Sequence, residues 1–311
     1  MFKLRSKTYG IGRVCVVPAA AICAVVVAAF AGGLTTAAVA RPNPAVYAHG
    51  GVASVEALVP ATYRKKGSLT VAADASYAPN EFIGSDGHTV IGMDADLMKA
   101  LGTVMGLKVN IVNAPFASIL AGLTAGKYDV GASSFTDTKA REKTVNFVDY
   151  FTAGESFFTK TSGGVDISGI SGLCGHTVAV EQGTTELSDA QTQSKKCKAE
   201  GKAAVSVSTY PDQNSANLAL ASGRVQLGFA DSPVAAYQVK QSHGMFKLVG
   251  ASYANAPYGL AVTKSGGLDK PIQAALLVLL KNGTYTKILD KWGVQAGAIP
   301  ASEMKINGAT S

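Results

Sequence analysis

The sequence is poor in residues that hold metals, and the few it has are scattered. His49, His88, His176 and His243 form no short-spaced group and the four cysteines contain no CxxC pair, so no metal site is legible. Charge is sparse too, at 16% of the 311 residues. The 28 Lys and Arg outnumber the 21 Asp and Glu, giving a net charge of +7, but Lys3, Arg5, Lys7 and Arg13 crowd the amino terminus. Setting those four aside leaves 24 against 21, or +3. So mild an excess argues against a nucleic-acid surface, which needs basic clusters interleaved with aromatics. The densest basic run, TYRKKG at 62–67, reads as a solvated approach to a strand. A GxxxxGK[ST] element is also missing, because AGLTAGK at 121–127 lacks its spacing and hydroxyl, so the chain should bind no nucleotide and needs no cofactor.

A long apolar run occurs once. It extends from about Val14 to Leu34, follows the basic cluster and precedes the small-residue triplet Ala38-Val39-Ala40. That order predicts a secretory signal over residues 1–40, cleaved after Ala40. Left uncleaved, it would tether the protein to the membrane. Cys15 follows Val14 and Cys23 follows Ile22, whereas a lipid-anchored precursor needs a small residue there, which disfavours lipidation. The two remaining cysteines, Cys174 and Cys197, fall in the exported part, where an even count without metal-like spacing predicts one disulfide.

What the chain does have is length, a 47% hydrophobic content and 34 glycines, enough for about two domains with their own cores. One unit is written twice. Leu123, Gly126, Lys127, Gly131 and Ser134 recur as Leu220, Gly223, Arg224, Gly228 and Asp231, each set reading as an apolar helix stopped by a glycine and followed by a short buried strand. Both strands end where α/β sheets bind ligands, one at Ser134 and the other at the Asp231 carboxylate.

Residues 41–65 lack periodicity and read as a tether. SLTVAADAS then forms a strand running into a polar loop with Asp74 and Tyr77, and NEFIGSDGHTVIGM a hairpin around Asp86-Gly87. The next helix should be capped by Asp94, carry Leu97, Met98, Leu101, Val104 and Met105 inward, and stop at Gly106 before the strand LKVNIV. HTVAVEQGTTE repeats the strand-to-polar-loop pattern and opens a second lobe; ANAPYGLAVTK crosses back. The predicted organisation is lobe 1 at 66–155, lobe 2 at 156–255, lobe 1 again at 256–296 with Trp292 in packing, and a tail at 297–311.

From Gly67 to about Val294 the ordered motifs SLTVAADASYAP, GMDADLMKALG, GKYDVGASSFTDTKAREKTVNF, HTVAVEQGTTE, SGRVQLGFAD, PYGLAVTK and NGTYTKILDKWG resemble the extracytoplasmic solute-binding proteins of ABC amino-acid importers, in their polar amino acid class. The resemblance implies an α/β, two-lobed fold of the type II periplasmic-binding-protein kind, with two crossover strands as hinge and a free amino acid held between the lobes. It implies that Arg141, in the element Thr138 to Arg141, grips the α-carboxylate, a task suited to a bidentate guanidinium. Ser134 and Thr136 would contact the ligand backbone, Gly183, Thr184 and Thr185 would donate to the carboxylate, and Asp231 would receive the α-ammonium. Tyr77 and Phe116 would sandwich the ligand side chain, with Asp74 facing it and favouring a polar or cationic substrate. The implied partners are that amino acid, a membrane permease and its ATPase, with no nucleic acid and the receptor acting as a monomer. Two positions depart from the family pattern: Asn80 stands where an aromatic is usual, and Gln226 where an aspartate is common. A cyclohexadienyl dehydratase-like enzyme is the alternative on this fold, with Glu155 or Glu181 as general acid, but Asp231 would repel its carboxylic substrate. A sensory module is the third reading, for which no downstream span or signalling domain is readable.

Overall fold

The computed structural model describes residues 51–310; the expected signal and residues 41–50 of the tether lie outside them. The rest of the tether differs from its reading as a linker. It forms two short helices, α1 (Ala53–Glu56) and α2 (Ala61–Lys66), because Val55 and Val59 drop into the core beside Leu101 and Ile272.

Strand β1 (Ser68–Ala73) follows, then a small antiparallel sheet of β2 (Ser76–Tyr77), β3 (Glu81–Ile83) and β4 (Val90–Ile91), closed by a turn with Gly87 at φ 78°. Helix α3 (Met93–Val104) buries the expected stripe, and Gly106 at φ 69° ends it. Asp94 does not cap α3. Gly92 is the N-cap, and Asp94, fully buried, accepts from the Ser134 N–H at 2.8 Å and the Tyr150 hydroxyl at 2.6 Å. Next come β5 (Lys108–Asn113), α4 (Phe116–Thr124) and β6 (Val130–Gly131), with β5 and β6 parallel to β1 on either side.

A 16-residue strand, β7 (Val145–Lys160), leads into lobe 2, built from β8 (Thr177–Glu181), α5 (Thr185–Ala199), β9 (Ser206–Tyr210), α6 (Gln213–Ala221), β10 (Leu227–Asp231) and α7 (Ser232–Gln241). The 18-residue β11 (Phe246–Thr263) returns alongside β7, and α8 (Asp269–Lys281) and α9 (Thr284–Trp292) close lobe 1 over α3. The large sheet has the order β5-β1-β6-β11-β7-β10-β8-β9, so β7 and β11 belong to both lobes. Their register slips between Val249 and Tyr253, Tyr253 and Ala256, and Tyr258 and Gly259. Such irregularities bend and twist a ladder, here where it passes between lobes.

The internal repeat is structural. Helix α4 with β6, and α6 with β10, end alike: Gly126 and Gly223 take φ of 73° and 76°, their N–H groups bonding Leu123 and Leu220 carbonyls, while Lys127 and Arg224 bond back to Gly122 and Ala219. Each copy is a helix closed by a left-handed glycine that feeds a strand parallel to its lobe's first strand, β1 or β8.

Lobe 1 holds the largest core. In lobe 2 Phe157 stacks on Phe229 at 4.2 Å, and the Cys174–Cys197 disulfide ties the turn before β8 to α5 across 23 residues. Trp292 packs edge-on against Phe82 and donates to Asp96. Gln226, at a departing position, braces the start of β8 by accepting from the Thr177 N–H at 3.0 Å. Residues 297–310 are not a loose tail: Ile299, Met304 and Ala309 are buried, and Ile306 bridges to Val148 on β7. β7 is the edge strand of lobe 1, and this segment supplies partners for its free side.

Candidate functional site

The strand ends of both lobes converge on a narrow cleft whose walls nearly meet, leaving a cavity of about 10 Å³, room for a single water. Nine of the ten residues expected at the site line it: Asp74, Tyr77, Phe116, Ser134 and Thr136 with Arg141 from lobe 1, and Thr184, Thr185 and Asp231 from lobe 2. Gly183 is the tenth. At φ 88° and packed against Ala117, it serves through its carbonyl rather than by lining the cleft.

Arg141 opens a one-turn helix and spans both lobes. Its Nη1 donates to the Thr136 carbonyl at 2.8 Å, its Nη2 to the Gly183 carbonyl at 3.0 Å, and its guanidinium lies 5.6 Å from the centres of the Phe116 and Phe135 rings. The rings stack at 4.5 Å and form an apolar floor that orients the cation. Ser134 holds a left-handed conformation, φ 51°, fixed by three buried neighbours: its N–H meets Asp94, and its Oγ accepts from Asn80 Nδ2 at 2.9 Å and donates to Glu81 at 3.2 Å. Asn80, the second departure from the family pattern, thus supports a site residue in place of a wall ring.

Tyr77 reaches across the cleft. Its hydroxyl donates to Asp231 Oδ2 at 3.1 Å and accepts the Asp231 N–H at 3.0 Å. Asp231 occupies the N-cap position of α7 but makes no side-chain cap bond, so its carboxyl serves the cleft. Thr184 does cap α5, accepting from the Leu187 N–H at 3.2 Å and donating to the Glu181 carbonyl at 2.9 Å, which presents the first turn of that helix to the cleft. Thr185 donates to Glu186 at 3.3 Å.

Ser133, Glu181 and Glu186 also line the cleft. From sequence, Glu181 has a role only as the acid of an enzyme, and Glu186 and Ser133 have none. A glutamate in the first turn of a helix reads from sequence as a dipole partner, which left Glu186 without a signal. Asp74 Oδ2 accepts the Phe116 N–H at the start of α4 at 2.9 Å, and its own N–H is held by Ser133 Oγ at 2.8 Å. Burial raises Asp74 above its ordinary range. Burial, then the adjacent Asp74 charge, pushes Glu181 up to about 10, and its Oε1 meets no donor. Burial, then Glu186, raises Asp231 well above a normal aspartate, and burial raises Glu186. Glu155, opposite Asp231 on β7 and bonded by Tyr253 at 3.0 Å, is likewise pushed to about 10, first by burial and then by Glu186.

Among the described residues, then, four carboxyl groups and one guanidinium line the cleft. No cluster of His, Cys, Asp and Glu suited to a metal occurs among them. Residues 69–295 match the bacterial extracellular solute-binding proteins, family 3. The chain belongs to that family. This solute-binding protein is 35% identical over 249 residues to the arginine-binding protein ArgT of Corynebacterium glutamicum, covering 80% of this chain and 81% of the relative. An ancestral arginine-binding protein bound to arginine matches at 35% identity with a TM-score of 0.67, covering 73% of this chain and 98% of that one. An ancestral amino acid-binding protein described as a precursor of cyclohexadienyl dehydratase matches at 32% with a TM-score of 0.67, covering 74% and 97%. The likeness on the enzyme side is thus to a binding ancestor. The solute-binding protein is an extracytoplasmic amino-acid receptor of the ABC-importer class and not an enzyme.

Proposed function

We propose that the receptor captures a free amino acid with a cationic side chain, arginine foremost, and delivers it to a membrane permease and its ATPase. The carboxyl surplus carries this reading. Buried like charges are costly unless protonated or neutralised, and a ligand that brings one carboxylate and two cations balances Arg141 on one side and the acids on the other. Arg141 takes the α-carboxylate, with the N–H groups of Thr184 and Thr185 at the start of α5. Asp231 and Glu186 take the α-ammonium. Asp74 and Glu181 take the side-chain cation, with Phe116 and Tyr77 as walls. The arginine-binding relatives support the choice. Because the groups come from both lobes, capture and closure are one event. Export through the segment at 1–40, cut after Ala40, places the receptor outside the cytoplasm as a monomer.

A calorimetric screen of the twenty amino acids tests it. Arginine is expected to bind with Kd near ~1 µM, about −8 kcal/mol, which allows capture and release. Tighter binding of a neutral amino acid such as glutamine would overturn the reading.

A further inference from the structure

Residues 298–310 lie beyond the family match at 69–295, yet they touch the loop that carries Arg141. The segment is built in from end to end. The Ile299 N–H donates to the Tyr285 hydroxyl at 3.0 Å, and Gln273 Nε2 donates to the Met304 carbonyl at 2.8 Å. The Asp149 N–H on β7 donates to the Lys305 carbonyl at 2.8 Å, and Asn307 exchanges bonds with Phe147, its N–H donating at 3.0 Å and its Oδ1 accepting at 2.8 Å. Asn307 adopts φ 58° to do so. At its end the Ala309 N–H donates to Asp137 Oδ2 at 3.1 Å.

Asp137 is 1% exposed and sits between Thr136, whose carbonyl holds Arg141, and Thr138, whose Oγ1 accepts the Arg141 N–H at 3.2 Å. Its own N–H bonds the Pro257 carbonyl on β11 at 2.8 Å. Its carboxyl faces that of Asp149, also 1% exposed; the Oδ1 atoms of the two meet no N–H or hydroxyl donor, and burial raises both acids above the ordinary aspartate range. A Cβ at Gly308 would collide with the Asp149 carboxyl, so the segment passes as close to the pair as backbone allows.

We infer that the segment 298–310 is a strap that fixes the Arg141 loop in its gripping position, with Asp137 as the positioning residue that couples the two. The inference rests on the reading of Arg141 as the carboxylate anchor for its affinity arm, but not for its exchange arm.

Four variants of the whole chain test it: Ala309→Pro, which removes the N–H donor without changing charge; Asp137→Ala; Asp137→Asn, which keeps an acceptor for Ala309 and a donor for Asp149; and a stop after Gly297. In the protein without ligand, Ala309→Pro and Asp137→Ala should speed hydrogen exchange at the amides of 136–141 by about tenfold or more, the loss of a bond to a buried charged group. Their arginine affinity, measured on folded protein by calorimetry, should fall about tenfold, with Asp137→Asn within a few-fold of wild type. The stop after Gly297 should match Asp137→Ala if it folds, and Ala309→Pro decides the matter if it does not. Unchanged exchange at 136–141 in Ala309→Pro overturns the strap, as does a variant that melts lower yet binds as tightly. If the wild type binds no arginine, the ligand reading fails, and exchange alone still decides the strap.

Discussion

Lobe 1 brings to the cleft a guanidinium, the Phe116–Phe135 stack, Tyr77 and a single acid, Asp74, whereas lobe 2 brings Glu181, Glu186, Asp231 and the first turn of α5. The lobes are also supported differently. Lobe 1 has the large core under α3, α8 and α9, reinforced by the helices before β1 and by the strap. Lobe 2 has two smaller clusters and a disulfide. The half that carries most of the like charge is thus stapled covalently, and the half that carries the opposite charge rests on packing. Neither face is electrically at ease alone, and a ligand with two cations and one anion relieves both.

The largest effect should come from the lone cation. Arg141→Ala should weaken arginine binding at least about hundredfold, because it strips the partner from a buried carboxylate, while leaving the melting temperature within a few degrees. Unchanged affinity would break the comparison outright. Next is the staple of lobe 2. Replacing Cys174 and Cys197 together by Ser should cost about 3 kcal/mol of stability for a loop of this length, read by denaturant titration, with affinity nearly kept. A loss confined to affinity would show that the bond shapes the site instead.

Smaller changes sharpen the assignment within the acids. Glu181→Gln should lower arginine affinity about tenfold and narrow the gap to glutamine, whereas an equal loss for every amino acid would move Glu181 from the side chain to the ligand backbone. Protons give a subtler readout. Glu181 keeps its proton up to about pH 10 in the protein alone, and a bound cation favours its ionised form, so arginine binding should release protons and tighten as pH rises through neutrality. Calorimetry in two buffers of different ionisation enthalpy measures that release. Asp149 supplies the smallest effect. Burial, then Asp137, pushes its carboxyl to about 8, against about 4 in an unfolded chain. The stability this neutral acid lends is full below about pH 4 and lost as pH climbs through about 8, so the melting temperature should fall between about pH 4 and about pH 8, and less so in Asp149→Asn.

The repeat, the strand ends and nine of the twelve residues lining the cleft are legible in the sequence because each rests on local chemistry: a left-handed glycine after an apolar stripe, or a polar loop after a buried strand. Asp94 was misread because a carboxylate at a helix start has two uses, capping the helix or bonding across the fold, and only the tertiary position of Ser134 decides between them. The segments at 51–66 and 297–310 looked like linkers because their apolar residues, Val55, Val59, Ile299 and Met304, are too few and irregular for a period; they fold by docking onto β7 and α8. Glu186 stayed hidden because the charge it faces lies in the other lobe, far away in sequence.

The central claim is that the cleft selects a positive side chain. Calorimetric titration with arginine and with citrulline, its neutral near-isostere, tests it most directly. Arginine should bind at least about hundredfold more tightly, the scale for leaving buried carboxyl groups without a charged partner. Equal binding of the two would contradict the account.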